Sequence, residues 1–114
     1  MSREAIEEIE MNIKEAREIV EMGNSLERLR HNADFQKVVL KQFMEREAIR
    51  LVHLKNDANM QDAESQASIL KQMDGIGSLT HFFNGVFHQS NLARKAIESD
   101  EETRDEMLAE GLEE

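Results

Sequence analysis

The amino-acid sequence predicts an all-α protein: a helical bundle or long hairpin of three to four helices, closed on itself or completed by oligomerisation. Three observations predict it. The 114 residues contain no Pro, which removes the strongest internal helix breaker. Apolar residues recur at steps of three and four, and no segment alternates with period two. Hydrophobic residues make up 39% and charged residues 33%, the balance of bundles and coiled coils rather than of thick globular cores. A chain of this length suits one domain with a modest core.

The first helix is expected over 3–22. Ile6, Ile9, Ile13, Ala16 and Val20 step by 3, 4, 3 and 4, the a/d seam of a heptad repeat. Glutamates fill its flanks, and Arg17 and Glu21 stand at i,i+4. Such a short seam is marginal alone in water, so it needs a partner within the chain or from a second copy. Gly23-Asn24-Ser25 is the first punctuation, either a helix end or a kink before Leu26-Glu27-Arg28-Leu29. Asn32 or Asp34 then offers an N-cap.

The next helix, 35–55, is the most apolar. Phe35, Val38, Leu40, Phe43, Ile49 and Leu51, with their apolar neighbours, cover most of its circumference. It is therefore expected to be contacted on more than one side and to be the centre of the fold. Asn56-Asp57-Ala58-Asn59 reads as a loop, and Gln61-Asp62-Ala63-Glu64 opens another helix with acids at its positive end. Ile69, Met73, Ile76, Phe83, Phe87, Ser90, Ala93 and Ile97 extend one helical face to about residue 97. Gly75 and Gly77 lie inside it, as break, kink or close-approach points. The expected organisation is a helical domain over 1–97 and an acidic C-terminal segment, 98–114, that is mobile. Met107, Leu108 and Leu112 are the segment's only strong apolar residues.

Charge sharpens this division. The net charge is -10, with seven acids and three bases in 1–22, and nine acids and one base in 98–114. Residues 23–97 hold eight acids and ten bases. Direct nucleic-acid binding through a broad basic footprint is not expected. The basic set Arg28, Arg30, Lys37, Lys41, Arg46, Arg50 and Lys55 suits instead the acidic ends of the same chain or of a second copy. Cys is absent, which removes disulfides and thiolate metal sites. Met1-Ser2-Arg3-Glu4 runs into a charged helical pattern with no apolar core of a leader, so none is expected.

No constellation of side chains announces chemistry. His81 and His88 stand seven apart, with neither an acid nor a second His four residues away, which is not zinc spacing. A calcium loop starting at Asp57 would need Gly at its sixth position and Glu at its twelfth; Asp62 and Ser68 stand there. No nucleophile elbow, phosphate loop, metalloprotease motif or paired-carboxylate motif is present. The expectation is a non-enzymatic protein without metal or other cofactor.

Gly75 to Ala93, GIGSLTHFFNGVFHQSNLA, contains no charged Asp, Glu, Lys or Arg over 19 residues. Eight of these are Ser, Thr, His, Asn or Gln and three are Gly, too polar for a spanning helix, and a membrane role is not favoured. A helix buried in a bundle or oligomer is the simplest reading. A docking surface built from Phe82, Phe83, Val86 and Phe87, or a membrane-active face, are the others. The residues expected to bind protein, whether self or partner, are Ile6, Ile9, Ile13, Val20, Phe82, Phe83, Val86 and Phe87.

Residues 34–61, DFQKVVLKQFMEREAIRLVHLKNDANMQ, with IGSLTHFFNGVF and SDEETRDEMLAE, resemble a family of small acidic helical proteins of tailed bacteriophages. Asp34, Phe35 and Val38 match its "DF-x-x-V" segment, and Glu47 to Val52 its "EA-[IV]-R-L-V" core. Met60-Gln61 and Ile76 to Leu79 match its loop end and its "I-G-[SA]-L" helix. The family's loop often carries Asp-Pro where this chain has Asp57-Ala58, so a stiffened loop is not implied here. The resemblance implies a setting in the host bacterial cytoplasm or the virion. It implies a structural or assembly role, by self-association into a homo-oligomer and by docking on capsid, connector or packaging proteins. The competing expectation is an acidic effector that binds and inhibits a host nucleic-acid enzyme by imitating DNA charge.

Overall fold

The computed structural model describes residues 3–113, and the side chains of Leu112 and Glu113 lie outside the described residues, as do Met1, Ser2 and Glu114. The chain is all-α, with no strand among the described residues. Helix α1 spans Arg3–Arg30. Helix α2, Ala33–Phe35, passes directly into a π-helical segment, Gln36–Arg46, and then into α3, Glu47–Lys55. A short 3-10 turn, Ala58–Met60, precedes α4, Ala63–Glu113. The chain divides into two compact units, Met1–Leu26 with Gly85–Glu114, and Glu27–Asn84.

The ends of these helices follow from their capping residues. Asn32 has extended φ and ψ, and its side chain accepts from the Phe35 backbone N–H at 3.0 Å. Asp62 does the same for α4, accepting from Ser65 N–H at 3.0 Å while its carbonyl takes the Gln66 N–H. Its carboxyl is held below the ordinary value of 3.8, chiefly by hydrogen bonding from Ser65. Between α3 and α4, two glutamines satisfy carbonyls that the helix end leaves open. Gln61 Nε2 donates to the carbonyls of Lys55 and Asp57, and Gln66 Nε2 to those of Lys55 and Met60.

In the first unit, α1 and the second half of α4 run antiparallel. Arg17 reaches Glu101 at 3.0 Å, and Asn24 Oδ1 accepts from Arg94 at 2.7 Å. The Ile6–Val20 seam faces inward: Ile13 and Ala16 are buried, and Ile6, Ile9 and Val20 are half-buried. The sequence left open whether this seam closes within one chain, and the structure buries it within one. Gly23 continues the same seam instead of ending the helix. A Cβ built on Gly23 would lie 2.5 Å from Ser90 Cβ, so only Gly permits the backbones to approach this closely. Opposite, α4 presents Ser90, Ala93, Ile97, Asp100, Arg104 and Met107, a heptad spacing of buried and half-buried positions.

In the second unit, Leu51 of α3 is fully buried against Ile69 and Ile76 of α4, with Ala48, Leu54, Met60 and Met73 around them. The Phe35 and Phe83 rings meet at 5.9 Å, tilted by 56°.

Helix α1 passes through Gly23-Asn24-Ser25, and α4 passes through Gly75 and Gly77, so of the alternatives the sequence left open the chain takes the continuous helix at both, where a buried face continues on both sides. One expectation is revised. The segment 36–46 is π-helical and none of its residues is buried, so this stretch is not contacted all round. Its apolar residues are too dispersed for one neighbour to cover. Residues 98–113 also continue α4 without a break, with Met107 buried in the first unit.

Candidate protein-binding surfaces

Where the first helix hands over to the second, the backbone is unusual. Eleven consecutive π-helical residues are rare, since i→i+5 geometry is normally confined to single-turn bulges that often mark functional sites. The segment lines an open groove of about 840 Å³. Arg30, Lys37, Lys41 and Arg46 bring four cations to it, Val38 and Leu40 supply apolar surface, and no acidic residue lines it. The groove lies wholly within the second unit.

Local bonds shape one end of this groove. Arg30 donates to Glu27 at 2.7 Å, and His31 Nε2 lies 3.0 Å from the same oxygen. The Arg30 hydrogen bond holds the Glu27 carboxyl below the ordinary carboxylate value. Gln36 Nε2 donates to the Arg30 carbonyl at 2.8 Å, which ties the α1 end to the π segment. Lys37, Lys41 and Arg46 are exposed and form no ion pair among the described residues. Of the remaining cations in the basic set, Arg50 is bonded to Glu47 instead. Basic residues alone were legible in the sequence; their convergence depends on the winding of the π segment, which no residue pattern announces.

The eight residues expected to bind protein fall into three groups. Ile13 is internal, while Ile6, Ile9, Val20, Phe83, Val86 and Phe87 are half-buried. Phe82 is 61% exposed. The uncharged stretch 75–93 is thus neither wholly buried nor wholly exposed: Ile76, Ser90 and Ala93 face inward and Phe82 outward.

Sequence inspection missed a second pattern on α1. Glu4, Glu8, Met11, Glu15, Glu18 and Met22 step by 4, 3, 4, 3 and 4, and all are exposed. At 100° per residue this stripe lies on the side of α1 away from the Ile6–Val20 seam. Met11 is 54% and Met22 59% exposed. The signal was present as a second 3–4 spacing, hidden because glutamates dominate it.

No group of three or more His, Asp or Glu among the described residues could hold a metal ion. No described helix is long and apolar enough to cross a membrane. No family model, no curated protein and no solved structure matches this chain.

Proposed function

We propose that this chain is a non-enzymatic bacteriophage structural or assembly protein. It acts by self-association and by docking on capsid, connector or packaging proteins, in the host cytoplasm or the virion. In this reading the helices complete their packing, bundle-like or as a coiled coil, in an oligomer. One observation carries the binding role. Twelve large hydrophobic side chains are exposed among the described residues, against eight buried hydrophobic residues. Exposed apolar side chains of this kind are what a partner surface would cover. The phage setting is supported by the motifs of 34–61 and 76–79 alone.

Two measurements test the proposal. Light scattering on the purified full chain is expected to give a mass above 13.2 kDa. Purified virions and assembly intermediates are expected to contain the protein, or to capture it when it is added. A strictly monomeric chain that binds no particle component would defeat the proposal.

A second reading, inhibition of a host nucleic-acid enzyme by charge mimicry, is favoured by one observation. Glu98, Glu102, Glu106 and Glu110 are exposed at successive steps of four on a continuous helix. Regularly spaced carboxylates on a folded surface are what such mimicry needs. Capture of a host nuclease or polymerase, lost when these four are changed to Gln, would favour it over assembly.

A further inference from the structure

We infer that the basic groove along 36–46 receives the acidic methionine stripe of α1 from a second copy of this chain. The inference rests on the self-association reading above and specifies how it occurs. Three observations lead to it. The groove is lined by Arg30, Lys37, Lys41 and Arg46 around Val38 and Leu40, with no acid. The stripe alternates the opposite chemistry, Glu4, Glu8, Glu15 and Glu18 around Met11 and Met22. Each surface is left open by its own chain: Met11, Met22 and Val38 are all more than half exposed.

The fit is one of charge and of shape class. A helix laid in a groove reads out as anchors at i, i+3, i+4 and i+7. Met11, Glu15, Glu18 and Met22 follow the same alternation of threes and fours, at i, i+4, i+7 and i+11, over about 16 Å of helix. Unbranched Met side chains adapt to an irregular lining such as a π-helical wall provides. Among the described residues neither Lys37 and Lys41 nor Glu15 and Glu18 form an ion pair that would have to be broken first. A nucleic acid would satisfy the cations but not Val38 and Leu40, and it would be repelled by a chain of net charge -10. Because stripe and groove are different surfaces, each copy offers one of each, and the contact can be exchanged reciprocally or passed from copy to copy.

Charge reversal with rescue tests this. The full-length chain is followed by sedimentation over a concentration series, alongside Glu15→Lys/Glu18→Lys, Lys37→Glu/Lys41→Glu and an equimolar mixture of the two. Each double variant alone is expected to weaken self-association roughly tenfold to a hundredfold, since like charges then oppose one another. The mixture is expected to recover it, with the stripe of one variant in the groove of the other. Met11→Ser/Met22→Ser, at exposed positions, is expected to weaken association with the helical circular dichroism unchanged. That variant decides the matter if a charge-reversed chain fails to fold. Self-association that persists in every variant overturns this contact while the assembly reading stands. A wild-type chain that stays monomeric overturns this contact, and overturns the assembly reading as well if it also binds no particle component. Loss in the variants without recovery on mixing overturns the pairing of these two surfaces.

Discussion

Gly23 and Gly75 are both helical glycines, yet alanine is expected to move stability in opposite directions at the two. A Cβ at Gly75 meets nothing within 4 Å, so Gly75→Ala gains helix propensity, about 0.5–1 kcal/mol. A Cβ at Gly23 would overlap Ser90, and the helices must part, so Gly23→Ala is expected to lose about 1–3 kcal/mol despite the same propensity gain. Urea unfolding followed by circular dichroism checks both. Ser90 itself is 1% exposed, and among the described residues its hydroxyl has no hydrogen-bond partner. Ser90→Ala removes a buried polar group without adding volume and is expected to stabilise the chain by about 1 kcal/mol in the same assay.

At the scale of elements, the loop between α3 and α4 depends on side chains rather than on backbone stiffness. Asp62 caps α4, and Asp62→Ala is expected to lower the urea midpoint with an unchanged slope. The same carboxylate makes the prediction pH-dependent. Its folded value is depressed below 3.8 by hydrogen bonding from Ser65, and Glu27 and Glu47 are depressed below 4.5 by their Arg30 and Arg50 hydrogen bonds. A depressed acid contributes stability above its unfolded value and loses it as pH falls through the folded one. Stability from these three groups is therefore expected to be full at pH 7 and to fade below about pH 4, with the Asp62→Ala chain losing less over that range. An acid titration of urea midpoints measures it. The π segment is the least sequence-determined element. Its residues predicted helix correctly, but the wider winding, and with it the set of side chains that line the groove, did not follow from their spacing.

For the whole molecule, twelve large hydrophobic side chains stay exposed among the described residues. If self-association completes the packing, thermal unfolding must depend on concentration, because mass action stabilises any folded state that binds another copy. The midpoint is expected to rise with protein concentration, and the association to weaken as salt screens the acidic stripe and the basic groove. A midpoint independent of concentration would remove the oligomer from the account. The acidic ends add to this balance. They sum to a charge of -12 against +2 in the middle, and Arg17–Glu101 bridges α1 and α4 there.

The sequence by itself determined the helical class, the Ile6–Val20 seam, an N-cap at Asn32 or Asp34 and the loop at 56–59. These depend on local propensity, on the 3–4 spacing of apolar residues and on side chains that bond to nearby backbone, all of which are written along the chain. Only the tertiary structure decided which partner closes the seam, why Gly23 must be Gly, and which of the basic residues share a groove. Each of those depends on residues far apart in sequence. Gly23 reads as punctuation until Ser90 lies against it, and Lys37, Lys41 and Arg46 read as a solvated face until the π-helical winding gathers them beside Arg30. The acidic stripe of α1 lies between these cases, since its spacing was legible but its exposure was not. A repeat on a helix says which residues share a face, and only packing says which face is left for a partner.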